Sequence, residues 1–162
     1  MSRIGILTVS DRSYRGERED LSGPAIREVV LERLEGAQVE LEAVVPDDFD
    51  IIRGTLLVWA DEVGLDLILT TGGTGFAPRD VTPEATRAVI RREAPGLAEA
   101  MRAASLRATP HAMLSRAVAG IRGRTLIVNL PGSPRAVREN LAVILPALPH
   151  ALALLRGETP DG

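Results

Sequence analysis

Cysteine is absent from the 162-residue sequence. Thiol nucleophiles, disulfides, iron–sulfur clusters and cysteine-bound zinc are thereby excluded. Lysine is absent too, and every basic side chain other than histidine is arginine. That removes Schiff-base chemistry, a lysyl-nucleotide intermediate and the lysine of a P-loop. The two histidines, His111 and His150, are too few for a multi-histidine metal site and read as surface or helix-packing residues. A divalent ion would need hard oxygen ligands, as magnesium does with carboxylates and substrate phosphates. Aromatics make up 2% of residues and the net charge is −3, so the stacking platforms and basic surface of a nucleic-acid binder are missing. No apolar run reaches the roughly 20 residues of a membrane span. Met1-Ser2-Arg3 leads straight into a strand-like segment, and a mature cytoplasmic protein is expected.

What is present is 45% hydrophobic residues, enough for a substantial core in one domain. Residues 1–157 are read as that domain and residues 158–162 as a loose tail. Residues 3–9 form an apolar strand ending at Ser10-Asp11-Arg12. A polar loop reaches Asp20, and Ser22 then caps a helix with Ile26, Val29, Val30 and Leu34 on one face, stopped by Gly36. Residues 38–45 alternate apolar and charged, the mark of a strand with a wetter face near a sheet edge. After Pro46-Asp47-Asp48 comes a helix with an apolar stripe of Ile52, Leu56, Trp59 and Val63. Residues 65–69 read as a buried strand, 83–92 and 95–107 as helices, and Thr109-Pro110-His111 opens a short helical or irregular stretch. Residues 125–128 form a further strand. The last helical region carries Val137, Leu141, Leu145 and Leu148 and is interrupted by Pro146 and Pro149. Trp59 and Met101 are core by spacing. This order predicts an α/β domain with a mostly parallel sheet covered on both faces, whose ligands gather outside the carboxyl ends of the strands.

The chain is organised around Thr70-Thr71-Gly72-Gly73-Thr74-Gly75-Phe76-Ala77-Pro78-Arg79-Asp80-Val81-Thr82. Glycines permit close backbone approach to a ligand, threonines add hydroxyls, and Thr82-Pro83-Glu84 restarts a helix with a hydroxyl cap. A strand, a glycine-rich loop and a helix start together make a phosphate site or a plain structural turn. The dinucleotide pattern G-x-G-x-x-G fails here, which counts against a nucleotide-dependent oxidoreductase. Asp47 and Asp80 follow different strands and would share one sheet edge, as a magnesium nucleotide site requires. Each has a plainer reading: Asp47 as a helix cap, Asp80 as a turn residue or partner of Arg79. Asp11 suits a turn. Ser133 suits a helix cap within the 129–134 connection, and Ser115-Arg116 either reaches an anion or lies solvated.

Thr70-Thr71-Gly72-Gly73-Thr74-Gly75 with Arg79-Asp80-Val81-Thr82-Pro83-Glu84-Ala85 closely resembles the MogA/MoaB-type molybdopterin-binding family. Thr8-Val9-Ser10-Asp11-Arg12, Ser22-Gly23-Pro24, Pro46-Asp47, Met101-Arg102 with Ser105-Leu106, Leu114-Ser115-Arg116 and Asn129-Leu130-Pro131-Gly132-Ser133-Pro134 match in order, from about residue 4 to residue 155. The resemblance implies a single-domain three-layer αβα fold, commonly a homotrimer, with a hexamer possible. It implies adenylylation of molybdopterin by Mg-ATP with release of pyrophosphate, in molybdenum-cofactor biosynthesis. Asp47 and Asp80 correspond to the acidic pair implicated in catalysis and would hold the magnesium ion. Thr71, Gly72, Gly73, Thr74 and Gly75 match the phosphate loop. Asn129, Pro131, Gly132 and Ser133 match a second substrate loop, and Ser10, Asp11, Ser115 and Arg116 join the expected binding set. The implied partner is the molybdenum-insertion enzyme that consumes the product. Members that bind without adenylylating tend to lose Arg-Asp-Val-Thr-Pro, which this chain keeps. The shorter C-terminal part resembles the MoaB length, so a non-catalytic molybdopterin-binding protein of the MoaB type is the alternative.

Overall fold

Alternation along three apolar strands sets the architecture. In β1 (Ser2–Val9) the side chains of Ile4 and Ile6 enter one core and those of Leu7 and Val9 the other. In β3 (Leu67–Thr71) Leu67 and Leu69 oppose Ile68, and in β6 (Thr125–Leu130) Leu126, Val128 and Leu130 oppose Ile127. Strands buried on both faces need a layer on each side. After the single turn α1 (Asp11–Tyr14), one layer is α2 (Ser22–Arg33), α5 (Pro95–Leu106), α6 (Pro134–Ile144) and α7 (Leu148–Leu155). The other is α3 (Phe49–Leu57), its continuation Val58–Val63 and α4 (Thr82–Arg87). Trp59 and Met101 both lie in the core, as their spacing predicts. The computed structural model describes residues 1–158; the expected tail lies, beyond residue 158, outside the described residues.

Among the described residues the sheet has six strands in the order β2-β1-β3-β6-β5-β4, counting β2 (Ala37–Val45), β4 (Arg92–Glu93) and β5 (Ala119–Arg122). β1 pairs in parallel with β2 and β3, and β3 with β6. β5 pairs antiparallel with β6 and β4. The alternating strand at residues 38–45 is indeed β2, at the sheet edge.

Several local expectations are corrected. Strand β3 begins and ends two residues later than the apolar run 65–69, because Thr70 and Thr71 continue the ladder opposite Asn129 and Leu130. The helix expected over 83–92 ends at Arg87. Its last residues are drawn into edge pairing, with Arg91 N–H donating to Ile121 and Ala94 N–H to Ala119. Strand β5 was not expected at all; Gly120 and the short apolar span hide it, and its hairpin turn to β6 uses Gly123 at φ 58°. Ser22 does not cap α2. The Asp20 carboxylate accepts from Gly23 N–H at 3.0 Å, while the Ser22 hydroxyl donates to the Gly132 carbonyl at 2.6 Å. Nor does Thr82 cap α4, which has no side-chain cap. The helix after Asp48 relaxes into a π-helical segment, Val58–Val63, which ends at Gly64.

Candidate active site

The strand order reverses between β1 and β3: the chain passes from β1 outward to β2, then returns to the opposite side of β1. Loops leaving the carboxyl ends of β1 and β3 diverge, and a crevice opens there. Its volume is about 220 Å³, and it is lined by Ser10, Asp20, Asp47, Thr71, Gly73 and Asp80, among others. Ser22 and Pro134, at the first turns of α2 and α6, also face it. Two helices of eleven or more residues thus aim their positive ends at one polar space, which favours an anion. The expected anion helix, α4, has six residues and adds little.

The bend at Gly72 and Gly73 forms the crevice floor. Both take left-handed backbone, φ 94° and 70°. A Cβ on Gly72 would run into the Val9 carbonyl; one on Gly73 would run into Thr82 Oγ1 and lie 3.1 Å from Asp47 Oδ1. Only glycine meets both conditions. Gly72 N–H donates to the Leu130 carbonyl at 3.2 Å, and the Thr71 hydroxyl to the Pro131 carbonyl at 2.6 Å, tying this bend to the loop after β6. The fully buried Thr82 hydroxyl has no partner among the described residues.

Asp48, not Asp47, caps α3, accepting from Ile51 N–H at 3.0 Å. Asp47 is left free for the site. Its Oδ2 accepts from Asp11 N–H at 2.9 Å, and Asp11 Oδ1 accepts from Asp47 N–H at 2.9 Å. Burial pushes the Asp47 carboxyl above the ordinary carboxylate range, and the charges of Asp11 and Asp80 push the same way, against the Asp11 amide and Arg79. Asp11 moves oppositely: its hydrogen bonds from Arg79, at 2.6 and 3.1 Å, hold it low. Asp80 Oδ2 accepts from Ala77 N–H at 3.0 Å and lies 3.0 Å from where a Gly75 Cβ would stand. Two carboxylates therefore flank the glycine loop within electrostatic reach of each other.

Arg116 grips that loop from behind. Its N–H donates to Thr74 O at 2.8 Å, and its guanidinium donates to Gly75 O at 2.8 Å, Asp80 O at 2.8 Å and Glu84 at 2.7 Å. A second cavity of about 290 Å³, largely apolar, opens beside the crevice between α5, Pro110–Leu114 and the loop after β6. Gly75, Met101, Arg102, Ser115, Asn129 and Pro131 help line it.

Of the predicted binding residues, Ser10, Thr71, Gly72, Gly73 and Gly132 line the crevice with Asp47 and Asp80, whereas Gly75, Ser115, Asn129 and Pro131 line the second cavity. Four lie in neither lining. Asp11 is engaged with Arg79 and Asp47, Arg116 with the loop backbone, Thr74 is buried, and Ser133 caps α6 by accepting from Ala136 N–H. Sequence reading missed Arg18, Glu19 and Asp20 at the crevice and Arg102 in the second cavity. The first three sit in a charged run without periodicity, and only the Met101-Arg102 motif match signalled Arg102. No group of three or more His, Cys, Asp or Glu gathers as a metal cluster among the described residues. The donor set fits magnesium only with phosphate oxygens completing the shell of Asp47 and Asp80, because that ion favours few carboxylates.

A family described as "Probable molybdopterin binding domain" matches residues 5–150. A molybdopterin adenylyltransferase of Helicobacter pylori is 47% identical over 154 residues, covering 95% of this chain and 88% of its own. The enzyme of that name from Escherichia coli is 43% identical over 168 residues, covering 96% and 86%. The crystal structure of a molybdopterin biosynthesis enzyme, MoaB, from Thermus thermophilus superposes with a TM-score of 0.90 at 58% identity, covering 99% of this chain and 100% of that one. The glycine bend, its flanking acids and these likenesses agree: the chain belongs to the MogA/MoaB-type molybdopterin-binding family.

Proposed function

We propose that the chain is a molybdopterin adenylyltransferase acting in molybdenum-cofactor biosynthesis, with Mg-ATP as co-substrate. The observation that carries this reading is that Asp47 and Asp80 line one crevice together with a glycine bend that no side chain can occupy. An oxygen of the terminal phosphate of molybdopterin attacks the α-phosphorus of ATP. The bond from that phosphorus to the bridging oxygen breaks, and pyrophosphate leaves. The nucleophile is already anionic, so no strong general base is needed, and the chain holds no lysine or cysteine for a covalent intermediate. Catalysis is positioning plus charge neutralisation. Gly72 and Gly73 admit the phosphates against the backbone, the starts of α2 and α6 attract them, and the apolar cavity suits a flat heterocycle. Asp47 and Asp80 would hold magnesium, which offsets the charge on the phosphates and on the leaving pyrophosphate.

The whole of residues 1–157 serves this activity as one domain. The assembly we propose is a homotrimer, with a hexamer as the alternative. A large apolar concavity lined by Leu97, Ile121, Val143, Ala151, Leu154 and Leu155, about 700 Å³, supports burial against another subunit. We place the protein in the cytoplasm, handing its product to the molybdenum-insertion enzyme of the pathway. Among the described residues no helix is long and apolar enough to cross a membrane.

Incubation with molybdopterin, magnesium and ATP tests the activity by mass spectrometry of an adenylylated pterin and assay of pyrophosphate. Tight molybdopterin binding with neither product overturns it in favour of a non-catalytic binding protein.

A further inference from the structure

Given the adenylyltransferase reading, we infer that Asp11 is a positioning residue for Asp47, and that its ion pair with Arg79 clasps the Asp47 loop to the loop bearing Asp80. Asp11 lies outside the crevice lining, and both of its carboxylate oxygens are engaged by protein. Oδ1 accepts the Asp47 amide at 2.9 Å and Arg79 Nη2 at 3.1 Å; Oδ2 accepts Arg79 Nε at 2.6 Å. In return the Asp11 amide donates to Asp47 Oδ2 at 2.9 Å. Main chain and side chain of Asp47 are thus both pinned by one residue, which fixes its rotamer. No protein group among the described residues donates to its Oδ1, the atom beside the Gly73 bend.

Arg79 completes the clasp. It directly precedes Asp80, and a planar guanidinium with two nitrogens on one carboxylate sets orientation as well as distance. Three segments far apart in sequence meet there: the end of β1, the end of β2 and the loop after β3. Because the pair lies beside the crevice and not in its lining, its effect falls on the geometry of the two carboxylates. Substrate affinity is set elsewhere.

The test uses the full chain and measures kcat, KM for ATP and molybdopterin affinity for the wild type and for Asp11→Ala, Asp11→Asn, Arg79→Ala and the Asp11→Asn, Arg79→Ala double variant. Asp11→Ala is expected to lower kcat about 100-fold, the scale of an ångström misplacement, with KM for ATP and molybdopterin affinity held within about twofold. Asp11→Asn retains an acceptor for the Asp47 amide, so it recovers about tenfold of that loss. Arg79→Ala matches Asp11→Asn, and the double variant falls no further than either, since all three break the same ion pair. Unchanged kcat in Asp11→Ala overturns the positioning role. A rise in KM for ATP confined to Arg79→Ala overturns the clasp, because Arg79 then holds substrate. Absence of product from the wild type defeats the adenylyltransferase reading instead. Amide exchange then judges the clasp alone: slow exchange of the Asp47 N–H that Asp11→Ala accelerates supports it, and no change counts against it.

Discussion

Nη2 of Arg116 donates to the main-chain carbonyl of Asp80 at 2.8 Å, so a candidate catalytic carboxylate is held through its own backbone by a residue 36 positions away. Nε of the same arginine holds Gly75 and Nη1 holds Glu84. A lysine cannot reproduce three divergent donations from one plane. Arg116→Lys is expected to cut kcat by about tenfold, and Arg116→Ala to cut it further and lower Tm by about 4 °C. Steady-state kinetics beside calorimetry check this. A variant that loses ATP affinity alone, with Tm and kcat unchanged, would show that the guanidinium reaches substrate after all.

Gly73 is constrained from two directions. Its φ of 70° disfavours any L side chain, and a Cβ would push on Thr82 and crowd Asp47. Gly73→Ala should therefore destabilise by about 1–3 kcal/mol and displace Asp47 even before a ligand binds. Gly54, on α3, which has open space around it and ordinary backbone, is the control, and Gly54→Ala leaves activity intact. Urea midpoints and molybdopterin binding distinguish the two. Equal behaviour of both variants would remove the cradle from the site.

Asp47 and Asp11 touch yet titrate in opposite directions. Asp47 is raised, chiefly by burial, so its ionised form is a burden on the fold that grows as pH climbs from the ordinary value of 3.8 through its own higher pKa. Asp11 is lowered, chiefly by Arg79, so it stabilises above 3.8 and that contribution fades as pH falls through its lower pKa. Asp47→Asn should consequently raise Tm at pH 7 while abolishing adenylylation, and the two proteins should converge in Tm below pH 3.8. A lower Tm for Asp47→Asn at neutral pH would contradict the desolvation account.

Much of the layer architecture was legible because buried parallel strands announce themselves as apolar runs: Ile4, Ile6, Leu67, Leu69, Leu126 and Val128 were all readable as strand residues or their neighbours. The convergence of Asp47, Gly73 and Asp80 followed from topology alone, since strand ends in such sheets share a rim. What escaped was short or tertiary. β4 has two residues and β5 four, too few for any period, and their pairing is decided by an edge next to β6. The residues alone suggested a turn for Asp11 and left Arg116 between an anion and solvent, and the resemblance added both to the binding set; only three-dimensional placement reveals that their polar atoms are engaged within the protein. Asp48, not its neighbour, caps the helix, a choice between adjacent aspartates that sequence spacing cannot make.

Asn129 illustrates the same ambiguity in the second substrate loop, and it can be resolved. The side chain is fully buried. Its Nδ2 donates to the hydroxyls of Thr70 and Thr86, each at 3.0 Å, and its Oδ1 accepts from Val118 N–H at 3.2 Å. The amide thereby joins β3, α4 and the start of β5, and it also touches the apolar cavity. Asn129→Ala would leave the Val118 N–H and two threonine hydroxyls without their partner, and each buried unsatisfied group costs about 1–3 kcal/mol. Even with partial rearrangement, the loss should be about 3 kcal/mol, read as a fall of about 1.5 M in the urea midpoint. Because the strand positions depend on this network, molybdopterin affinity should fall as well, but recover at low temperature or in stabilising osmolyte as the fold is restored. A variant that stays as stable as the wild type while losing molybdopterin would instead make Asn129 a direct substrate ligand.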